Sequence, residues 1–245
     1  RRYYYNRISL ESAGNLLRLG FVSSGVSPDT DGGYEIQGIQ FAQYWKLEND
    51  FRYYRTFDDN NRLAFRLNTG VGRPGANLSV LPYAKSYYGG GSNGIRAWDP
   101  RSLGPGSYRD LSGVYSYNNL GEVKLETSLE YRFNLTDMLE GALFVDAGNI
   151  WLLHEDQLRP GSRLEFDTFL SEWAVAGGIG ARLDFDFFLL RLDVATQLKD
   201  PAKVPGERWF WEPKEQYVQF LETLPNEPNT YKPYVNFNLG IGYPF

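Results

Sequence analysis

The chain has no cysteine, one histidine and one methionine among its 245 residues. Without cysteine there is neither a disulfide framework nor a thiolate-held metal site. No stretch reaches the eighteen or so apolar residues that a transmembrane helix needs, so none is present. Basic charge is also in short supply: a formal net charge of -5 and a pI near 5.1 argue against a nucleic-acid partner. His154 opens a polar loop, and a Ser-His-Asp hydrolase would have to use it. No signal peptide opens the chain, which begins at Arg1 rather than Met; it reads as a mature or truncated piece of something longer.

What the chain does contain is aromatic and alternating. Aromatic residues make up 16%, with 18 Tyr and 16 Phe. Tyrosine and tryptophan suit the headgroup level of a membrane, where one edge of the ring is wet. The mean hydropathy of -0.45 would ordinarily indicate a soluble protein. A barrel wall, however, hides its apolar residues at every second position. The last residues, Pro233 to Phe245, show this most clearly. Val235, Phe237, Leu239, Ile241, Tyr243 and Phe245 fall on one side, with Tyr234, Asn236, Asn238, Gly240 and Gly242 on the other.

The same alternation recurs along the chain. Ile39 to Phe57, Leu63 to Val71, Val123 to Phe133, Leu143 to Ala147, Trp173 to Phe185 and Phe188 to Leu198 each place apolar residues opposite charged ones. Counting Tyr3 to Leu19 at the start gives about eight strands. Short turns fall near residues 59, 137 and 186, and long loops near 28, 95, 162 and 215, the arrangement of a membrane barrel with short periplasmic turns and long external loops. A soluble β-sandwich alternates in the same way, but its strands are usually half as long. The expected fold is therefore an all-β transmembrane antiparallel barrel. Weaker motifs carry little. Gly70, Gly72 and Gly75 have dinucleotide-loop spacing but lead into a loop and not a helix. Asn77-Leu78-Ser79 reads as a chance glycosylation sequon, and Glu155, Asp156, Glu165 and Asp167 as a solvated acidic loop.

The long loop from about Gly72 to Leu120 carries the chemical information. Gly89, Gly90, Gly91 and Gly94 cluster ahead of Arg96, Ala97 and Trp98, and Gly104 opens a following Gly-Pro. With LEYRF around Glu130, FVDAG from Phe144 to Gly148, the ESAGNLL segment and the terminal Phe245, this resembles the BamA/TamA superfamily of outer-membrane insertases. The resemblance covers most of the chain. It departs at Ala97, where most members have glycine, so the backbone there needs no glycine-only conformation. The resemblance implies a lumen latch made by Arg96, Trp98, Glu130, Asp146 and Gly148, in which the arginine folds inward onto the two carboxylates. Parity puts Glu130 and Asp146 on the lumen side of neighbouring strands, where a guanidinium can make bidentate bonds to carboxylates.

The resemblance also implies that residues 1–245 are the carboxyl half of a sixteen-stranded barrel, without its first eight strands and its periplasmic POTRA repeats. The implied function is outer-membrane protein assembly, insertion or translocation through a lateral seam at the terminal strand. Tyr234, Phe237, Leu239, Gly240, Ile241, Gly242, Tyr243 and Phe245 form that seam and signal. Implied partners are the outer-membrane bilayer, nascent outer-membrane proteins and accessory assembly subunits or a periplasmic partner. No catalytic residue, metal or cofactor is implied. The LGPGS ending and the IRAW variant lean toward the TamA-like lipoprotein branch. A passive porin, an outer-membrane enzyme using His154 and a two-partner secretion transporter are the alternatives.

Overall fold

Among the described residues, eight strands form one antiparallel sheet in which successive strands are sheet neighbours. The computed structural model describes residues 1–30, 32–108, 119–216, 219 and 234–245. The centre of the long loop at 109–118 and the distal part of the last loop, including Lys232 and Pro233, lie outside the described residues. β1 (Arg2–Ala13) leads into α1 (Asn15–Ser23) and a two-residue hairpin, β2 (Glu35–Ile36) with β3 (Ile39–Gln40). There follow β4 (Tyr44–Thr56), β5 (Asn61–Pro74), β6 (Val123–Asn134), β7 (Leu139–Trp151), β8 (Ala174–Asp184), β9 (Leu189–Lys199) and β10 (Val235–Ile241). The sheet order is β1-β4-β5-β6-β7-β8-β9-β10, with β1 and β10 at its edges. Strands β4 to β7 run 12 to 14 residues. About 9–11 residues suffice for a tilted strand to cross a bilayer.

The sheet is inside-out relative to a soluble protein. On β10, Phe237, Leu239 and Ile241 are 76%, 68% and 80% exposed, and Leu143, Val145, Ile179 and Leu192 are exposed on the same side of their strands. The opposite side buries Glu126, Glu130, Arg132, Asp146, Arg182, Arg191 and Asp193. A water-facing sandwich cannot adopt this arrangement, because burying charge away from water needs partners while exposing every apolar position wastes the main driving force. A wall with hydrocarbon on one side and a polar interior on the other satisfies both.

Several boundaries differ from the sequence reading. The segment from Ile39 to Phe57 is split, with Ile39–Gln40 paired in the short hairpin and the long strand β4 starting only at Tyr44. The opening strand stops at Ala13 instead of reaching Leu19. The Asn15 carboxamide there donates to Ser12 Oγ (2.9 Å), Ala13 O (3.2 Å) and Tyr44 O (3.0 Å), closing the end of the β1–β4 pair before α1. The terminal alternation also breaks early. β10 ends at Ile241, and Gly242 takes φ 81, a conformation that favours glycine, while its N–H donates to Leu189 O at 2.7 Å. Beyond that turn Phe245 is buried, and the Arg132 guanidinium carbon lies 4.2 Å from the Tyr243 ring centroid and 5.7 Å from that of Phe245. Tyr243 and Phe245 therefore leave the apolar side assigned to them and cover an inner-face cation.

Candidate functional site

The long loop returns across the inner face. Its base is held by bridges pairing Tyr87 with Gly121 and Gly89 with Leu103, and by Arg101 N–H donating to Gly89 O at 2.9 Å. At the tip, Gly91 N–H donates to Trp98 O (2.7 Å) and Gly94 N–H to Gly91 O (3.0 Å), which folds residues 91–98 into a compact turn. Ile95, Ala97, Trp98 and Leu103 are buried together with Phe144, Ala174, Ala176 and Ala195. Three alanines on β8 and β9 leave the volume that the tip fills. Ala97 is not among the positive-φ residues, as its side chain requires. Gly70 and Gly72 serve the same purpose on β5: a Cβ at either would strike the Tyr87 ring or the Leu81 side chain.

Arg96 is 1% exposed and meets carboxylates from three strands. Its Nε and Nη2 donate to Asp146 Oδ2 and Oδ1 at 2.8 and 2.9 Å, and its backbone N–H donates to Oδ2 at 3.2 Å. Nη1 donates to Glu130 Oε2 at 2.7 Å and to Asp193 Oδ2 at 3.3 Å. The guanidinium carbon stands 3.3 Å from the centroid of the Phe144 ring. Burial works against the charge of Arg96, but Asp146, then Glu130 and Asp193, outweigh it and hold the group above its ordinary arginine value. It is a cation at every pH at which the protein is folded.

Around this centre the charges are shared. Glu130 also accepts from Arg132 Nε at 2.8 Å and lies 3.1 Å from Arg182 Nη2. Asp193 accepts from Arg182 Nη1 at 2.5 Å and lies 3.4 Å from Arg191 Nε. Asp146 has a different environment: apart from Arg96 it accepts only from the Ser128 hydroxyl among the described hydrogen bonds. Arg191 Nη2 donates to Ser92 O and Asn93 Oδ1, both at 2.9 Å, and Arg66 Nη1 to Asn93 O at 3.1 Å.

The FVDAG strand fixes the far end of the loop as well. Gly148 has φ 143, and a Cβ there would run into the backbone of Leu125 and Glu126, so β6 can approach only because the residue is glycine. One step on, Asn149 Nδ2 donates to Gly106 O (2.8 Å) and Glu172 O (2.6 Å), and Gly106 N–H donates to Ile150 O at 2.8 Å. Gly104 lies against Asn149 and Ile150.

The structure thus brings Arg96, Trp98, Glu130, Asp146 and the loop glycines to one place. Arg182, Arg191 and Asp193 are among the charged residues that alternation sets opposite the apolar ones on Trp173 to Phe185 and Phe188 to Leu198, but nothing in the sequence connects them to the loop. Asn236 and Asn238 were noted only as polar alternates, yet both donate to Arg96 O, at 3.1 and 2.9 Å. Their signal was composition, since asparagine is depleted in strands. Gly240 faces Arg191 and gives its guanidinium room. The remaining motifs have structural occupations. Asn77 is buried, donating to Tyr34 O (3.1 Å) and Phe41 O (2.8 Å), which leaves no side chain free for glycosylation. Asp156 accepts from Arg159 Nε at 2.8 Å. Gly90 to Gly94 also spell Gly-x-Ser-x-Gly, but they lie in a loop and not in the strand-to-helix turn of a hydrolase elbow. The single histidine, His154, pairs with Glu122 at 3.2 Å.

An antiparallel sheet with bare apolar residues outside, ion pairs inside, short turns at one end and a loop folded back into the interior defines a transmembrane β-barrel protein of an outer membrane. The Omp85 superfamily domain model matches residues 21–245, and the chain belongs to that superfamily. Its members are integral outer-membrane barrels that act without enzymatic chemistry. The chain is similar to the outer membrane protein assembly factor BamA of Neisseria meningitidis serogroup B, at 24% identity over 114 residues, 44% of this chain and 14% of that protein. Among solved structures it is similar to the crystal structure of BamA from Haemophilus ducreyi lacking POTRA domains 1–3, with a TM-score of 0.48 and 18% identity, covering 68% of this chain and 33% of that one. The chain therefore spans a third or less of the length of these relatives.

Proposed function

We propose that this chain is the carboxyl-terminal portion of an outer-membrane protein assembly or translocation barrel, with β10 as one side of a lateral seam and the Arg96 loop as the latch that keeps the inner wall rigid. The observation that carries the reading is Arg96, pinned to carboxylates of β6, β7 and β9 beneath an edge strand whose outer side is bare. An edge strand in hydrocarbon has N–H and C=O groups that lipid cannot satisfy. An incoming strand of a nascent outer-membrane protein that pairs there gains those bonds, which is strand addition to a sheet edge. The bilayer, nascent outer-membrane proteins and accessory assembly or periplasmic subunits are the partners in this reading. A sixteen-stranded whole with POTRA repeats ahead of it belongs to the same proposal. So does placement in the TamA-like branch, which rests on Ala97 and the LGPGS ending.

A disulfide joining β10 to the first strand of the intact barrel tests the seam. Client assembly should stop under oxidising conditions and resume on reduction. A locked barrel that assembles clients at the full rate refutes the seam and returns the chain to the class of passive channels, whose signature is large single-channel conductance.

A further inference from the structure

The inner side of β10 has one use throughout its length. Just ahead of the strand, the Tyr234 hydroxyl donates to Asp99 Oδ2 of the loop at 2.8 Å. Asn236 and Asn238 both donate to the backbone carbonyl of Arg96, at 3.1 and 2.9 Å. At the next inward position Gly240 lies flat on Arg191, where a Cβ would come within 2.7 Å of Nη2. That same Nη2 holds Ser92 O and Asn93 Oδ1. Four successive inward positions thus meet the loop, directly or through Arg191. The two carboxamides converge on the carbonyl of the very residue whose guanidinium the carboxylates hold.

We propose that Asn236 and Asn238, with Arg191 seated behind Gly240, are positioning residues that couple the terminal strand to the loop. The proposal deepens the reading above by naming what ties seam to latch, and it takes its functional meaning from that reading. Moving β10 away from the loop as the seam opens breaks both carboxamide bonds to Arg96 and uncovers Arg191. Withdrawing the loop leaves the same carboxamides facing the interior without their acceptor. Each movement favours the other, and the coupling is equal when read from either end.

The test is hydrogen exchange on the full-length protein in lipid nanodiscs, following peptides that cover 89–106, 123–151 and 234–245. In the Asn236→Val/Asn238→Val variant, exchange in the loop rises on the order of tenfold, as expected for two lost hydrogen bonds, while β6 and β7 keep their protection. Gly240→Ala displaces Arg191 and accelerates the same loop peptides by a separate route. Read from the other end, Arg96→Lys accelerates exchange in β10. Unchanged loop exchange in both strand variants overturns the coupling. Uniform acceleration across all strands also overturns it, since the asparagines would then support the sheet and not the loop. Client assembly by the disulfide-locked barrel is scored separately: a locked barrel that remains active removes the seam but leaves the exchange coupling standing.

Discussion

Removing the Arg96 guanidinium does not harm its three carboxylates equally. In Arg96→Ala, Glu130 keeps Arg132 and Arg182, and Asp193 keeps Arg182 and Arg191. Asp146 alone is stranded, at 0% exposure, with the Ser128 hydroxyl and the backbone N–H of position 96. Breaking a buried pair so that one charge stays behind costs about 3–5 kcal/mol. The lost face-on contact with Phe144 adds about 1–2 kcal/mol. Asp146→Ala costs less, about 2–3 kcal/mol, because Arg96 retains Glu130 and Asp193. In the double variant the stranded carboxylate is gone, so the two changes are less than additive, with an interaction energy of about 2–3 kcal/mol. The assay is a double-mutant cycle on denaturant unfolding of the full-length barrel refolded in lipid vesicles, followed by tryptophan fluorescence. Strictly additive losses would mean that Arg96 and Asp146 do not act as a pair, and the argument from their bidentate geometry would fail.

Gly148→Ala should be far more damaging than its one added methyl suggests. The Cβ meets the Leu125 and Glu126 backbone, and φ 143 strains any side chain, so folded barrel should fall severalfold in a heat-modifiability gel, while Ala147→Gly on the outer side should leave it near wild type. In the β4–β5 turn, Asn61 Nδ2 and Asn60 N–H donate to the Asp58 carboxylate, and the Asn61 side chain first, then Asn60, lowers its pKa. With the folded value depressed, the contribution of this turn is complete above the ordinary aspartate value of about 3.9 and is lost as the pH falls through the folded value. Carboxyl-carbon NMR should place the Asp58 midpoint below the ordinary aspartate value, and a midpoint at that value would contradict the turn geometry.

The alternation that decides which side of each strand meets lipid is a local property, because successive side chains in extended chain point to opposite faces whatever the partner. Phe237, Leu239 and Ile241 outside and Glu130 and Asp146 inside could therefore be read from residue order alone. The reach of Arg96 toward those two acids was implied by the family resemblance of the Gly-rich loop and not by residue order. Three things could be read in neither way. Asp193, Asn236 and Asn238 join the site only because strand register brings residues 97 to 142 positions away onto the same side chain or carbonyl. Sharing of Glu130 and Asp193 among Arg132, Arg182 and Arg191 depends likewise on which strands lie side by side. The inward turn of Tyr243 and Phe245 contradicts the alternation that precedes it, since one left-handed residue at Gly242 ends the strand and the cation the two rings cover, Arg132, lies on another strand altogether. Periodicity is written in neighbours along the chain, whereas the pairing of charges is decided by distances across the sheet, which only the folded register sets.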